Sequence, residues 1–140
     1  MSDKYFLDTN VLVYSVDLTS PLKRRRAREL VTDGTTSKLG VISYQVVQEF
    51  VNVAIRKFQS AVAQTDLEEF LRGILFPMMA VPSSPWLFLD ALRLRDTNQL
   101  SWYDSLIIAA ALQGSCKILY SEDLQHGRRF GDLVIQNPFL

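Results

Sequence analysis

The sequence predicts a three-layer α/β/α sandwich with a mainly parallel central sheet. Short β-prone apolar runs alternate with longer segments of helical hydrophobic spacing, which is the pattern of a parallel sheet covered by helices on both faces. The segment 106–112 is apolar on nearly every side, so we expect a helix that packs on both flanks. The 140 residues suffice for one core, and a single domain over residues 1–140 is predicted.

The chain opens with a predicted strand, a polar turn and a helix. Residues 4–7 form an apolar β-prone run, and residues 8–10 are polar. Apolar side chains then recur at near-helical spacing. Ser20 followed by Pro21 predicts the start of a second helix, because serine caps helices and proline suits their first turn. We expect this second helix to end before Asp33.

The middle of the chain predicts two further strands and two helices. Residues 39–42 form a buried-strand pattern, and Ser43 is placed to cap the long amphipathic helix that follows. Another amphipathic helix is expected over residues 65–76. Pro77 should end it, because proline lacks the backbone donor that a helix interior needs. The apolar residues 78–81 then predict a strand.

The last third of the chain repeats the same signals. Residues 84–85 are again a serine followed by a proline and predict a helix start. Ser101 is a candidate cap for the apolar helix, and Gly114 is expected to close it. Two more strands are predicted, at 117–120 and at 133–135.

Composition and charge exclude several classes of function. One cysteine, Cys116, rules out an internal disulfide and a multi-thiolate zinc site, and one histidine, His126, rules out two-histidine sites. Fifteen basic and fifteen acidic residues cancel, so a polyanion must be held by a local basic patch or by a metal. No apolar run resembles a signal peptide or a membrane span, and we expect a cytoplasmic protein.

Four acidic residues occupy similar places in the predicted elements. Asp8 and Asp123 each follow a strand, Glu49 lies early in the helix after a strand, and Asp104 lies at a helix start. In a parallel sheet these places fall near one edge. Crowded carboxylates repel unless a cation neutralises them, and Mg²⁺ or Mn²⁺ prefers such oxygen ligands. Each acid alone also suits a helix cap or a turn, so spacing leaves both interpretations open.

Four segments that contain these acids resemble the motifs of the PIN domain family, in the family's order. They are residues 6–14, 42–50, 103–107 and 119–124, and the ending 134–139 resembles the single-domain, VapC-like toxins of that family. Four ordered motifs are a specific signal, and the likeness covers nearly the whole chain. The resemblance implies a PIN-like fold and a metal-dependent endoribonuclease, the toxin of a type II toxin–antitoxin pair.

The same resemblance implies roles for individual residues. Four acids would be the catalytic residues and would hold one or two Mg²⁺ or Mn²⁺ ions: Asp8, Glu49, Asp104 and Asp123. Asn10 and Ser121 would support them by hydrogen bonds. Metal-dependent hydrolysis would leave a 5′-phosphate and a 3′-hydroxyl on the RNA without the help of a histidine. Because Glu122 stands beside Asp123, the choice of ligand between these two acids remains open.

The resemblance further implies a homodimer and a cognate antitoxin protein. A partner helix could bind an apolar groove formed by four residues, provided that they are not buried within the monomer: Phe70, Leu71, Ile74 and Leu75. Candidate RNA contacts are Arg24 and Arg25 in the basic run 23–28, and Arg128 and Arg129 after the fourth acid. A solvated helix surface is the alternative for both basic groups.

Two other functions are compatible with an acid after the first strand. A phosphatase of the haloacid dehalogenase type also uses Mg²⁺, but it needs an aspartate where this chain has Asn10. A PIN-like scaffold that binds RNA or protein without cleavage needs no acids, whereas this sequence keeps all four. We therefore expect a nuclease, with the scaffold as the alternative.

Overall fold

The computed structural model describes residues 3–58 and 64–140. In the described chain six strands form one sheet, in the order β3-β2-β1-β4-β6-β5. Their bounds are β1 Tyr5–Leu7, β2 Gly40–Ser43, β3 Met79–Val81, β4 Ile118–Tyr120, β5 Arg129–Phe130 and β6 Leu133–Gln136. All neighbouring pairs are parallel except β5, which pairs antiparallel with β6 at the edge. The predicted mainly parallel sheet is confirmed.

Helices connect the strands and flank the sheet. They are α1 Thr9–Val16, α2 Pro21–Ser37, α3 Tyr44–Lys57, α4 Gln64–Phe70, a π-helical segment Leu71–Leu75, α5 Phe76–Met78, α6 Pro85–Asn98 and α7 Trp102–Gln113. α1 packs against α2 and α3, and α6 packs against α7. Residues 105–111 of α7 are all buried, as expected for a helix that is apolar on every side. None of the helices in the described residues is both long and apolar enough to span a membrane.

Serine caps begin three of the helices, as the sequence predicts. The hydroxyls of Ser43, Ser84 and Ser101 accept hydrogen bonds from the backbone N–H three residues further on, at 3.4, 3.1 and 3.2 Å. Each bond satisfies a donor that the first turn of a helix leaves unpaired. Ser20 also precedes a helix with proline in its first turn, but its side chain makes no capping hydrogen bond.

The prediction that α2 ends before Asp33 is wrong, because Gly34 serves a close packing contact and not a helix stop. A Cβ atom at Gly34 would lie 3.0 Å from the Cα of Gly40 in β2. The glycine therefore lets α2 pass close to the sheet. The helix continues to Ser37, and Lys38 follows in the left-handed conformation with φ of 64°.

The sequence analysis expects Pro77 to end the helix before β3, and this prediction is wrong. The chain widens into the π-helical segment, in which the N–H of Phe76 donates to the carbonyl of Leu71. Pro77 then lies in the first turn of α5, where its missing donor would have no helical partner. The two-residue strand β5 is also absent from the predicted elements, since it is too short to show a period.

Candidate functional site

The sheet brings Asp8 and the turn after β4 to the same edge. β1 and β4 are parallel neighbours, and Leu7 lies opposite Tyr120 at their carboxyl ends. The N–H of Asp8 donates to the carbonyl of Tyr120 at 3.0 Å. Asp8 and Ser121 therefore leave the two strands side by side, at the edge where the sequence analysis expects the acids to meet.

The Asp8 carboxylate caps α1 and is bound by two further donors. Its Oδ1 accepts the N–H of Thr9 at 2.7 Å, and its Oδ2 accepts the hydroxyl of Ser121 at 2.7 Å. The Nδ2 of Asn10 lies 3.4 Å from the same Oδ2. The residue is 9% exposed. Asp8 thus combines the two interpretations that the sequence leaves open, a helix cap and a member of an acid group.

Burial and neighbouring negative charge raise the pKa of Asp8. Loss of water around the carboxylate is the main cause, and Glu49 and Asp123 add repulsion, although the hydrogen bonds from Ser121 and Thr9 oppose the shift. The resulting pKa is about 6, against an ordinary value of 3.8. The three carboxylates therefore interact electrostatically in the folded chain.

Asn10 joins Asp8 to the turn that carries Asp123. Its Nδ2 donates to the Oδ2 of Asp123 at 3.2 Å, and its Oδ1 accepts the N–H of Glu122 at 3.3 Å. Within the turn, the hydroxyl oxygen of Ser121 accepts the N–H of Asp123 at 3.2 Å. The two supporting residues named from the sequence thus hydrogen-bond to two of the four acids.

Glu49 reaches this group from α3 through a residue that the sequence analysis does not single out. The hydroxyl of Thr9 donates to the Oε1 of Glu49 at 2.9 Å, while the Thr9 N–H bonds Asp8. Thr9 thereby links two acids whose positions differ by 41 in the sequence. The available signal is its place in the polar turn between Asp8 and Asn10, where a hydroxyl faces the same edge.

Asp104 is the fourth predicted acid, and no contact connects it to the other three. It lies in the first turn of α7, where its N–H donates to Ser101. Its carboxylate has no hydrogen bond or ion pair within the described residues. Across residues 3–58 and 64–140, no group of three or more His, Cys, Asp or Glu side chains is arranged so that it could hold a metal ion.

The chemistry of the linked acids nevertheless suits a hard divalent cation. Asp8, Glu49 and Asp123 present carboxylate oxygens, which are the ligands that Mg²⁺ and Mn²⁺ prefer. Burial, with added repulsion from Glu49 and Asp123, raises the pKa of Asp8, and a nearby cation would favour its ionised form. These three acids therefore have the right chemistry for a metal ligand, although within the described residues they are not arranged as a metal-binding group.

Glu122 points away from the linked acids. Its Oε2 lies 2.6 Å from the Nζ of Lys23 in α2, and its Oε1 accepts the hydroxyl of Tyr14 at 2.8 Å. Burial opposes the charge on Glu122, but the bonds from Lys23 and Tyr14 prevail and lower its pKa. Asp123, in contrast, is exposed and is bound by Asn10.

The candidate RNA-binding arginines differ in their surroundings. Arg128 donates to the carbonyl of Asn98 at 3.1 Å and lies over the Phe130 ring, 4.9 Å from its centroid. Arg129 is exposed on β5. Arg25 lines an open groove of about 680 Å³ on α2, whose charged lining includes Arg24 and Arg28. Arg129 and Arg25 thus have the more accessible guanidinium groups.

The predicted apolar groove is present only in part. Leu75 is fully buried in the core, whereas Phe70 and Ile74 are half-buried and line a cavity of about 410 Å³ between α1, α2 and the π-helical segment. Arg24 and Arg28 line the same cavity. The Nε of Arg24 is buried and, within the described residues, has no hydrogen-bond partner.

Comparison with known proteins agrees with the predicted fold and family. The family model described as PIN domain matches residues 5–129. No curated protein matches the sequence. Two solved structures are similar in fold. VapBC2 from Rickettsia felis, bound to a DNA fragment from its promoter, is 18% identical with a TM-score of 0.63, and the match covers 95% of this chain and 97% of that chain. FitAB, bound to an IR36 DNA fragment, is 20% identical with a TM-score of 0.65, and the match covers 97% of this chain and 96% of that chain. The family match spans most of the sequence, and the chain belongs to the PIN domain family.

Proposed function

We propose that this protein is a cytoplasmic, Mg²⁺- or Mn²⁺-dependent endoribonuclease and the toxin of a type II toxin–antitoxin pair. The observation that carries the proposal is the buried Asp8 carboxylate, linked to Glu49 through Thr9 and to Asp123 through Asn10. Membership of the PIN family, whose members are typically nucleases, supports it. The fold shared with VapBC2 and FitAB supports the toxin role.

In this proposal the acids bind the ion and the polar residues orient the acids. Asp8, Glu49 and Asp123 would hold the metal, with Asp104 as a further ligand from α7. Held there, a divalent ion would supply positive charge and Lewis acidity for hydrolysis of the phosphodiester. Ser121 and the residues of the 8–10 turn orient the carboxylate oxygens of Asp8, Glu49 and Asp123 by hydrogen bonds.

The test is cleavage of total RNA by the purified, antitoxin-free protein in EDTA, in Mg²⁺ and in Mn²⁺. We expect cleavage only with a metal, and none with Asp8→Asn, Glu49→Gln or Asp123→Asn. Asp96→Asn, an exposed acid of α6, is the matched control and should cleave normally. A folded protein that binds RNA but cuts none under any metal would contradict the nuclease and favour the scaffold alternative.

RNA would reach the acids through local basic residues, because the net charge of the chain is zero. Arg25, Arg24 and Arg129 are the proposed phosphate contacts, with Arg128 weaker because its guanidinium already binds Asn98. Replacing Arg25 or Arg129 with Gln in the inactive Asp8→Asn protein should lower RNA affinity and reduce the salt dependence of binding. An unchanged salt dependence would exclude them as phosphate contacts.

The proposed antitoxin segment would bind the cavity between α1, α2 and the π-helical segment. Its half-buried apolar lining suits aliphatic or aromatic side chains, and the unpartnered Nε of Arg24 suits a carboxylate. Co-expression with the product of an adjacent small gene should yield a complex that Ile74→Glu weakens. Exposed Ile55→Glu on α3, which does not line the cavity, is the control, and equal loss in both variants would exclude the cavity as the binding site.

A second copy of the chain is the proposed partner for α6. Large apolar side chains are exposed along this helix, including Trp86 at 71%, Phe88, Leu89 and Leu92. The same helix carries two acidic and two basic residues, Asp90, Asp96, Arg93 and Arg95, so its charges allow it to pair with a second copy. Analytical ultracentrifugation should show a dimer that Trp86→Glu converts to a monomer. A monomeric wild-type protein would refute the proposed pairing through α6.

A further inference from the structure

We propose that Lys23 and Tyr14 clamp the Glu122 side chain outside the candidate metal site. The turn after β4 then presents Asp123 alone to the ion. The inference rests on the proposed function, because it concerns which residues of the chain face the metal. It makes Lys23, Tyr14 and Glu122 positioning residues rather than ligands.

Both carboxylate oxygens of Glu122 are used by the clamp. Lys23 donates to Oε2 at 2.6 Å and Tyr14 donates to Oε1 at 2.8 Å. Lys23 also donates to the Tyr14 hydroxyl at 3.3 Å and lies 4.7 Å from the centroid of its ring. The side chains of Lys23 and Glu122 are 41% and 25% exposed, so water screens the ion pair and the contact depends on all three groups acting together.

Helix α1 binds both the backbone and the side chain of Glu122 in the turn after β4. Asn10 accepts the Glu122 N–H, and Tyr14, one helical turn later, binds the Glu122 carboxylate. Phe139 closes the outer side of the clamp, with its ring edge-on to Tyr14 at 5.1 Å and 5.7 Å from the Lys23 Nζ. The clamp therefore connects α1, α2 and the C-terminal residues to the site.

A clamp is needed because the two adjacent acids are chemically equivalent as ligands. Glu122 has the longer side chain and, if free, could swing toward the linked acids and compete with Asp123 for the ion. Pairing with Lys23 also offsets the Glu122 charge, which would otherwise add repulsion beside the three linked carboxylates. The arrangement thus selects one acid and limits the local negative charge.

The test is Mn²⁺ binding by calorimetry, which requires no RNA cleavage. Asp123→Asn should weaken Mn²⁺ binding by about tenfold or more, because the clamp holds the neighbouring acid away. Adding Lys23→Met, which keeps the aliphatic stem, should release Glu122 and restore much of that affinity. Adding Glu122→Gln to this double variant should remove the recovery.

Lys57→Met is the matched control, since Lys57 also pairs with an acid, Asp17, at 3.6 Å. Added to the Asp123→Asn protein, Lys57→Met should not restore Mn²⁺ affinity. Folded Asp123→Asn protein whose Mn²⁺ affinity is unaltered by Lys23→Met would overturn the clamp, as would an equal effect of Lys57→Met. Wild-type protein that neither binds Mn²⁺ nor cuts RNA would overturn the proposed function itself, and the clamp with it.

Discussion

Asp8 is the residue at which local structure and proposed chemistry meet. Its carboxylate caps α1, accepts the hydroxyl of Ser121 and lies within the field of two other acids. Asparagine is also a good helix cap, so Asp8→Asn removes the charge while keeping a cap of similar shape. The substitution therefore separates the cost of the buried charge from the benefit of the cap.

The stability of the metal-free protein should depend on pH through Asp8. Its pKa is higher in the folded state, about 6, than the ordinary value of 3.8, so the folded chain binds the proton more tightly. The free energy of unfolding should fall as pH rises between these values, by about 3 kcal/mol. Urea unfolding in EDTA should show the fall for wild type but not for Asp8→Asn.

The comparison with Asp8→Asn is necessary because Asp17 and Glu122 act in the opposite direction. Their pKa values are lowered in the folded state, so they lose stabilisation as pH falls. Excess Mg²⁺ should abolish the difference between wild type and variant by favouring ionised Asp8. A variant that is less stable than wild type above the raised pKa would show that the charge mainly serves the cap.

The hydroxyl of Thr9 should contribute to metal binding, because it orients Glu49. Thr9→Val keeps the shape but removes the bond to Glu49, whereas Thr9→Ser keeps a hydroxyl. We expect Thr9→Val to weaken Mn²⁺ binding by about tenfold and Thr9→Ser to bind nearly as wild type. Calorimetry of the two folded variants checks this, and equal affinities would remove Thr9 from the site.

At the level of elements, close packing between α2 and β2 depends on two glycines. A Cβ at Gly34 would meet the Cα of Gly40 at 3.0 Å and the hydroxyl of Tyr5 at the same distance. The hydroxyl can move, but the strand backbone cannot move without disturbing its neighbours. The contact explains why a glycine is retained inside a helix, where alanine would otherwise be favoured.

Gly34→Ala should therefore destabilise the protein, by about 1–3 kcal/mol, although alanine is the better helix former. Gly73→Ala is the matched control, because a Cβ there has no atom within 4 Å. It should be neutral or stabilising by up to about 1 kcal/mol. Thermal unfolding of the two variants tests this prediction. A Gly34→Ala protein as stable as wild type would refute the close-contact explanation for α2.

The elements also show what could be read from the sequence and what could not. The serine caps of α3, α6 and α7 depend on residues three apart, so local spacing suffices to predict them. The length of α2 and the passage of the helix through Pro77 depend on Gly40 and on a π turn, which no local period reveals. Predictions were accurate where the deciding contacts are close in the chain.

The site is different, because its acids come from distant parts of the chain. Three of the four acids predicted to meet, Asp8, Glu49 and Asp123, are joined by short hydrogen-bonded links. Sequence order and the rule for parallel strands were enough to predict their shared edge. The orientation of Glu122 could not be predicted, because it depends on Lys23, whose position differs by 99.

For the whole molecule, the fold places acidic and basic side chains in different regions, although the 15 acidic and 15 basic residues give a net charge of zero. The linked acids lie at the carboxyl edge of the parallel strands, and Lys23 of α2 contacts Glu122, the neighbour of Asp123 in the same turn. A chain of zero net charge thus has an acidic centre at this edge, while Arg24, Arg25 and Arg28 line a groove on α2. That arrangement suits a polyanion whose backbone must approach carboxylates.

The central claim is that this acidic centre cuts RNA by metal-dependent hydrolysis. Its most direct test is the chemistry of the new ends when the purified protein cleaves RNA in Mn²⁺. We predict 5′-phosphate and 3′-hydroxyl ends, absent in EDTA and absent with Asp8→Asn. Fragments that carry 2′,3′-cyclic phosphates, or cleavage that persists in EDTA, would contradict the account.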